Sequence, residues 1–139
     1  MKTIKIISHP VTLITCFLLV LISGQHLGGF YLLYILLGLP HGAIHSILAT
    51  AGIAIILFSS YKYKREFNYL IEPILNMTGV TMLSFSLLVF FVNDKERYNY
   101  STFDQTVPVI SLILFGIVAL SFSLYNLISL FRRVTYQPR

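Results

Sequence analysis

Positively charged residues separate this chain into apolar stretches, and their placement constrains the fold more than any other feature. Eight of the ten lysine and arginine residues form three groups, and the other two lie in a loop that also carries three carboxylates. The groups are Lys2 and Lys5; Lys62, Lys64 and Arg65; and Arg132, Arg133 and Arg139. Short cytoplasmic segments of membrane proteins are enriched in lysine and arginine. The pattern predicts that all three groups face the cytoplasm, which requires an even number of membrane crossings.

The composition is that of an integral membrane protein with a single domain over residues 1–139. Hydrophobic residues make up 56% of the chain and charged residues 11%, whereas a soluble domain carries about 25% charged residues. The net charge of +5 comes from residues that flank apolar spans, so we attribute it to topology and to anionic lipid rather than to nucleic acid. We expect a location in the cell membrane, of the bacterial inner-membrane type.

Four apolar stretches predict an all-α, four-helix transmembrane bundle with both termini in the cytoplasm. The expected spans are residues 10–24, 41–61, 70–92 and 107–131. A further apolar piece near residues 28–39 is too short to cross a bilayer, which needs about 20 residues, and Gly28-Gly29 and Pro40 mark its ends. We expect it to form a re-entrant or interfacial helix on the outer side. The alternative is that it continues the first helix past a kink at the two glycines.

Small and polar residues recur on one face of the third and fourth spans, and we expect these faces to form the polar interior of the bundle. Small side chains allow membrane helices to approach closely, and amides hydrogen-bond between helices. The residues are Asn76, Gly79, Ser86, Gly116, Ala119, Ser123 and Asn126. Asn76 and Asn126 lie at a similar depth, so they could hydrogen-bond each other. The opposite faces are expected to meet lipid or a partner, with Phe85, Phe90, Phe91, Phe122 and Leu124.

Three histidines are expected near the outer leaflet, namely His26, His41 and His45. His41 and His45 are four residues apart, a spacing that places two side chains on one face of a helix. Three imidazoles could bind a metal or haem, or relay protons. They could equally be polar residues at the ends of the spans, and no carboxylate lies nearby in the sequence to orient them. We favour the structural interpretation and expect no cofactor.

No catalytic motif is present in the sequence, and the segments between the spans are too short to build a soluble active site. We therefore expect no enzyme activity. The predicted role is that of a structural or accessory subunit of a larger membrane complex, or of a self-associating membrane component, so its partners would be lipid and other membrane subunits or itself. The first alternative is a homo-oligomeric channel lined by the Ser/Asn/Gly faces. The second is a membrane metal- or haem-binding enzyme that uses the outer histidines.

Overall fold

A computed structural model of the chain describes residues 6–25, 27–62 and 70–135, apart from the side chains of Lys62 and Arg133. The elements in chain order are α1 (Pro10–Leu18), β1 (Leu21–Ser23), β2 (Gly28–Phe30), α2 (Tyr31–Gly38), a 3-10 turn (Leu39–His41), α3 (Ile44–Lys62), α4 (Ile71–Val92), a second 3-10 turn (Tyr100–Thr102) and α5 (Thr106–Thr135). The described chain is mostly helical.

Three helices, α3, α4 and α5, are long and apolar enough to cross a membrane. They contain 19, 22 and 30 residues, which correspond to roughly 28, 33 and 45 Å at about 1.5 Å per residue. Helices α4 and α5 begin within one residue of the spans expected at 70–92 and 107–131. Helix α3 begins three residues later than the expected residue 41. Long apolar runs in the sequence thus predicted where these helices begin to within one to three residues.

The first apolar stretch is not one helix, so the expectation of a helical span over residues 10–24 is wrong. Helix α1 has nine residues and is followed by strand β1. The amide of Leu21 hydrogen-bonds to Ser111 Oγ at 2.9 Å, and the carbonyl of Val20 accepts from the amide of Tyr31 at 2.7 Å. Because tertiary partners satisfy these backbone groups, the chain can leave the helix while buried. The fold therefore adds a small sheet to the predicted all-α bundle.

The two strands form an antiparallel hairpin, and the short apolar element that follows is a separate helix. Leu21 pairs with Phe30, Ile22 with Gly29 and Ser23 with Gly28. The two glycines therefore lie in β2 rather than at a helix kink, which contradicts the continuous-helix alternative. Helix α2 starts at Tyr31 and has eight residues, too few to cross a bilayer.

The long helices pack antiparallel, and the closest approach is between α3 and α4. A Cβ on Gly52 would lie 3.0 Å from the carbonyl oxygen of Gly79, and one on Gly79 would lie 3.1 Å from that of Gly52. Glycines at such a crossing let two helix backbones come close, as is common in membrane proteins. We call the end where α3 and α5 finish and α4 begins the basic end. The opposite end, which carries residues 93–105, is the loop end.

Residues 8–23 run beside α5 in the opposite direction, and the fold buries part of the faces expected to meet lipid or a partner. Ser8 Oγ donates to the Ser121 carbonyl at 3.4 Å, near the basic end, whereas β1 reaches Thr102 at the loop end. Three of the five aromatic and leucine side chains expected to face lipid are buried, namely Phe90, Phe91 and Phe122. Phe85 and Leu124 are exposed. The expectation that these side chains meet lipid or a partner is wrong for the buried three. The Phe90 ring packs against Tyr31 and Tyr34 of α2, and the Phe91 ring packs against Tyr100 and Phe103 of the loop.

Candidate functional site

The centre of the candidate site is a chain of two buried amides between α4 and α5. Asn76 Nδ2 donates to Asn126 Oδ1 at 2.9 Å, and Asn126 Nδ2 donates to the Phe122 carbonyl at 2.8 Å. Both side chains are buried. Hydrogen bonds between such side chains hold membrane helices together where lipid provides no hydrophobic drive.

The direction of this amide chain follows from its last acceptor. A carbonyl oxygen cannot donate, so the Asn126 amino group must face Phe122 and its Oδ1 must face Asn76. Asn76 then presents Nδ2 to Asn126, which leaves Asn76 Oδ1 buried with no hydrogen-bond partner among the described residues. An unpaired buried acceptor costs free energy. The geometry therefore leaves one buried acceptor unpaired beside the helix contact.

A cleft of about 670 Å³ opens beside the amides at the basic end of the bundle. Four helices contribute to it: the start of α1, the end of α3, the start of α4 and the middle of α5. The described lining consists of Ser8, His9, Pro10, Val11, Leu57, Ser60, Tyr61, Glu72, Asn76, Phe122, Tyr125 and Asn126. A second buried polar atom without a hydrogen-bond partner, Ser60 Oγ, belongs to the same lining. We call this feature the basic-end cleft.

The charged and titratable groups of the cleft lie towards its rim. Glu72 is in the first turn of α4, where a carboxylate meets the positive end of the helix dipole. The Glu72 carbonyl accepts a hydrogen bond from Ser59 Oγ at 3.1 Å, which ties α4 to the end of α3. His9 caps α1, with Nδ1 accepting from the Val11 amide at 3.3 Å. No lysine or arginine side chain lines the part of the cleft that the structure describes.

The other small and polar residues of α4 and α5 lie in different surroundings. Gly79 packs against Gly52. Ser86 Oγ donates to the His45 carbonyl at 2.7 Å, and the Tyr31 hydroxyl lies 2.8 Å from Ser86 Oγ. Ala119 is buried and Ser123 is half-buried. Gly116 is half-exposed, and a Cβ there would have no described atom within 4 Å. At Gly116, therefore, no described atom comes close enough for the missing side chain to be needed.

The structure describes two of the three histidines singled out in the sequence, and these two lie in different surroundings. His26 lies outside the described residues. His41 ends the first 3-10 turn and is exposed, with Nδ1 2.8 Å from the Leu37 carbonyl oxygen. Gly42 has a φ of 67°, a conformation that glycine adopts at low cost, and α3 begins after it at Ile44. The expectation that His41 and His45 share a helix face is wrong, because this turn separates them.

His45 lies inside the bundle in an aromatic setting. Its ring centroid is 5.2 Å from that of Phe90 and 6.2 Å from that of Tyr31. Its Nε2 is buried without a hydrogen-bond partner among the described residues. Within residues 6–25, 27–62 and 70–135, no three His, Cys, Asp or Glu residues are grouped to hold a metal ion.

The loop end is closed by contacts that the sequence did not indicate. Thr102 is fully buried, and its Oγ1 accepts from the Ser23 amide at 2.9 Å. The Asp94 carboxylate accepts from the amides of Tyr98 and Asn99 at 3.1 and 2.7 Å. These bonds order residues 93–105 and hold them against Ser23, at the edge of β1 that does not pair with β2.

Tyr34 and the hairpin turn add to this closure. Burial and the nearby Asp94 carboxylate raise the pKa of Tyr34. Its hydroxyl donates to the Leu27 carbonyl. The Gln25 amide donates to the Tyr98 carbonyl at 2.9 Å. The loop therefore provides structural contacts rather than a reactive cluster.

Sequence reasoning missed the cleft residues Ser60 and His9. The available signal was weak: Ser60 is a polar residue near the end of an apolar helix, and His9 precedes a proline that begins one. Only the packing of four helices brings these residues together. No protein-family model, curated protein or solved structure matches this chain.

Proposed function

We propose that this protein acts as a small structural or accessory component of a membrane assembly, formed with copies of itself or with other membrane chains. The observation that carries the proposal is a regular apolar face on α5. Eight large apolar side chains are exposed there in two rows of period seven. The rows are Ile110, Ile117, Leu124 and Phe131, and Ile113, Leu120, Leu127 and Val134. We call this face the α5 seam.

The spacing of the seam suits another helix. Apolar residues at positions separated alternately by three and four residues match the packing of helices that cross at a shallow, left-handed angle. The seam covers residues 110–134, which amounts to roughly 36 Å at about 1.5 Å per residue. Helix α5 could thus pair with a second helix along the whole thickness of a bilayer core, which is about 30 Å.

The small and polar residues of α4 and α5 favour association with another chain over the alternative that this protein forms a channel. A pore needs polar side chains that are free to meet water and ions. In this chain Asn76 is bonded to Asn126, Ser86 to His45 and Tyr31, and Gly79 packs on Gly52. These groups are used within one bundle, so they would have to be released before they could line a pore between subunits.

Cysteine cross-linking in membranes tests the association. In a Cys16→Ser background, which removes the single cysteine, Leu120→Cys places a thiol at the centre of the seam. Leu88→Cys is the matched control, because Leu88 is an exposed leucine in a membrane-spanning helix but belongs to α4. We expect Leu120→Cys to cross-link with a bifunctional thiol or photoreactive reagent, giving twice the mass of the chain for self-association or another mass for a different partner.

Equal yields at the two positions would mean random encounter, and no product at either position would mean that lipid covers the seam. Either result would overturn the proposal.

We further propose that the basic end faces the cytoplasm, so that the loop end is external. Support comes from the antiparallel packing, which brings the end of α3, with Lys62, and the end of α5, with Arg132, to the same end of the bundle. Single cysteines at Tyr98 and Arg132, in the Cys16→Ser background, can be labelled with a membrane-impermeant maleimide. In intact cells we expect labelling at Tyr98 alone. Labelling at Arg132 alone would reverse the orientation.

A further inference from the structure

We propose that the basic-end cleft binds the hydroxyl headgroup of a neutral lipid alcohol, of the diacylglycerol class, from the adjacent leaflet. This inference concerns a different surface from the α5 seam and does not depend on association. It starts from two residues that line one cleft, Asn76 and Ser60. Each carries a buried polar atom with no hydrogen-bond partner among the described residues, Oδ1 and Oγ respectively.

The ligand must carry a hydrogen-bond donor. Asn76 Oδ1 can only accept, and the Phe122 carbonyl determines this orientation through Asn126. An ionised phosphodiester has no donor to offer to that atom. A hydroxyl group can donate to Asn76 Oδ1 and also accept from Ser60 Oγ, which is itself both donor and acceptor. One alcohol group therefore has both the donor and the acceptor that these two unpaired atoms require.

The depth of the site favours a neutral group over an ammonium group. Asn76 is five residues after the start of α4 at Ile71, or about 7.5 Å along the helix at about 1.5 Å per residue. Headgroup regions add roughly 5–8 Å on each side of the hydrocarbon core. Asn76, which is 4% exposed, thus lies near the boundary with the acyl chains, where a charge is costly to bury and a hydroxyl is less so.

The shape of the cleft suits an amphiphile. Its volume of about 670 Å³ is far more than a single water requires, about 30 Å³, and is typical of ligand sites. The apolar wall includes Val11, Leu57 and Phe122. Val11 and Leu57 are exposed, so the cleft has an apolar rim along which acyl chains could continue into the bilayer.

Competition between three lipids tests the inference on the unmodified protein. The full-length chain is placed in phosphatidylcholine nanodiscs with a diacylglycerol that carries a photoreactive acyl chain, and cross-linking is measured by intact-protein mass spectrometry. The competitors are dioleoylglycerol, its 3-acetyl ester, which keeps the acyl chains but has no donor, and dioleoylphosphatidylethanolamine. We expect dioleoylglycerol to compete about tenfold better than the acetyl ester, the factor that corresponds to one buried hydrogen bond.

A pair of variants locates the site. Ser60→Leu fills the cleft beside Asn76 and should reduce cross-linking severalfold. Thr78→Leu is the matched control on the exposed face of α4 and should leave cross-linking unchanged. The reactive acyl chain should label peptides that contain Val11 or Leu57.

Three results would overturn the proposal. Equal competition by the acetyl ester would show that no donor is needed. Stronger competition by phosphatidylethanolamine would show that the headgroup is cationic. Equal cross-linking of Ser60→Leu and Thr78→Leu would show that the lipid lies elsewhere and that water fills the cleft.

Discussion

Leucine substitutions at Asn76 and Asn126, made singly and together, measure the energy of the amide pair separately from the packing around it. Leucine is similar to asparagine in size but forms no hydrogen bond. Asn76→Leu removes the bond to Asn126 and also the unpaired Oδ1, while Asn126 keeps its bond to the Phe122 carbonyl. Asn126→Leu removes both bonds and leaves the whole buried amide of Asn76 without this partner.

The two substitutions should therefore differ in cost. Hydrogen bonds between membrane helices contribute about 0.6 kcal/mol on average and up to about 1.7 kcal/mol. We expect Asn76→Leu to lower the free energy of unfolding by about 0.5–1 kcal/mol. Asn126→Leu should lower it by about 1–2 kcal/mol, because a buried polar group is left unpaired. The double variant should cost less than the sum of the two, by roughly the energy of the shared bond.

Reversible unfolding in mixed micelles, titrated with dodecyl sulfate and followed by circular dichroism, gives these free energies. Thr78→Leu on the exposed face of α4 serves as a control for the effect of adding a leucine and should change the free energy little. Strict additivity would show that the amides do not interact. A larger cost for Asn76→Leu than for Asn126→Leu would refute the inferred direction of the amide chain.

Further substitutions test the helix crossing and the closure of the loop end. Gly79→Ala should destabilise the fold by about 1–3 kcal/mol, because its Cβ would meet a side chain of α3. Gly116→Ala should be neutral or stabilising by up to about 1 kcal/mol. Equal effects of the two substitutions in the unfolding assay would contradict the close crossing of α3 and α4. Thr102→Val removes the acceptor of the Ser23 amide, so hydrogen exchange at Ser23 should rise roughly tenfold. Thr78→Val should leave that exchange unchanged, and unchanged exchange in Thr102→Val as well would argue against the closed loop end.

Local sequence patterns were sufficient to predict the long helices but not the secondary structure of the first apolar stretch. Helix α4 follows an unbroken apolar run that opens with Glu72-Pro73, and proline is well tolerated in the first turn of a helix. Residues 10–24 are also apolar, but an apolar run of that length can form a helix or a buried strand. Its helix ends at Leu18, and two later residues bond the backbone groups that follow. Ser111, which is distant in sequence, accepts from the Leu21 amide, and Tyr31, which follows the hairpin, donates to the Val20 carbonyl.

The candidate site was predictable only in part, for a similar reason. The position of a residue along a membrane-spanning helix gives its depth in the bilayer. Asn76 and Asn126 have similar expected depths, which indicated that their side chains could meet. The unpaired acceptor was not predictable, because it depends on which atom of Asn126 faces the Phe122 carbonyl. The four-residue spacing of His41 and His45 assumed an uninterrupted helix, which the left-handed conformation of Gly42 breaks.

The amino-acid sequence was enough to predict the membrane class, both ends of α4 to within one residue and the start of α5, whereas α5 continues four residues past the expected residue 131. A bilayer requires about 20 consecutive apolar residues with their backbone hydrogen bonds formed internally, and both requirements are local to one segment. The tertiary structure alone decided where α1 ends, which aromatic side chains are covered, and that Ser60, His9 and Asn76 line one cleft. These features depend on pairs of groups up to about a hundred residues apart, and an apolar sequence can satisfy its hydrophobic preference equally well against lipid or against protein.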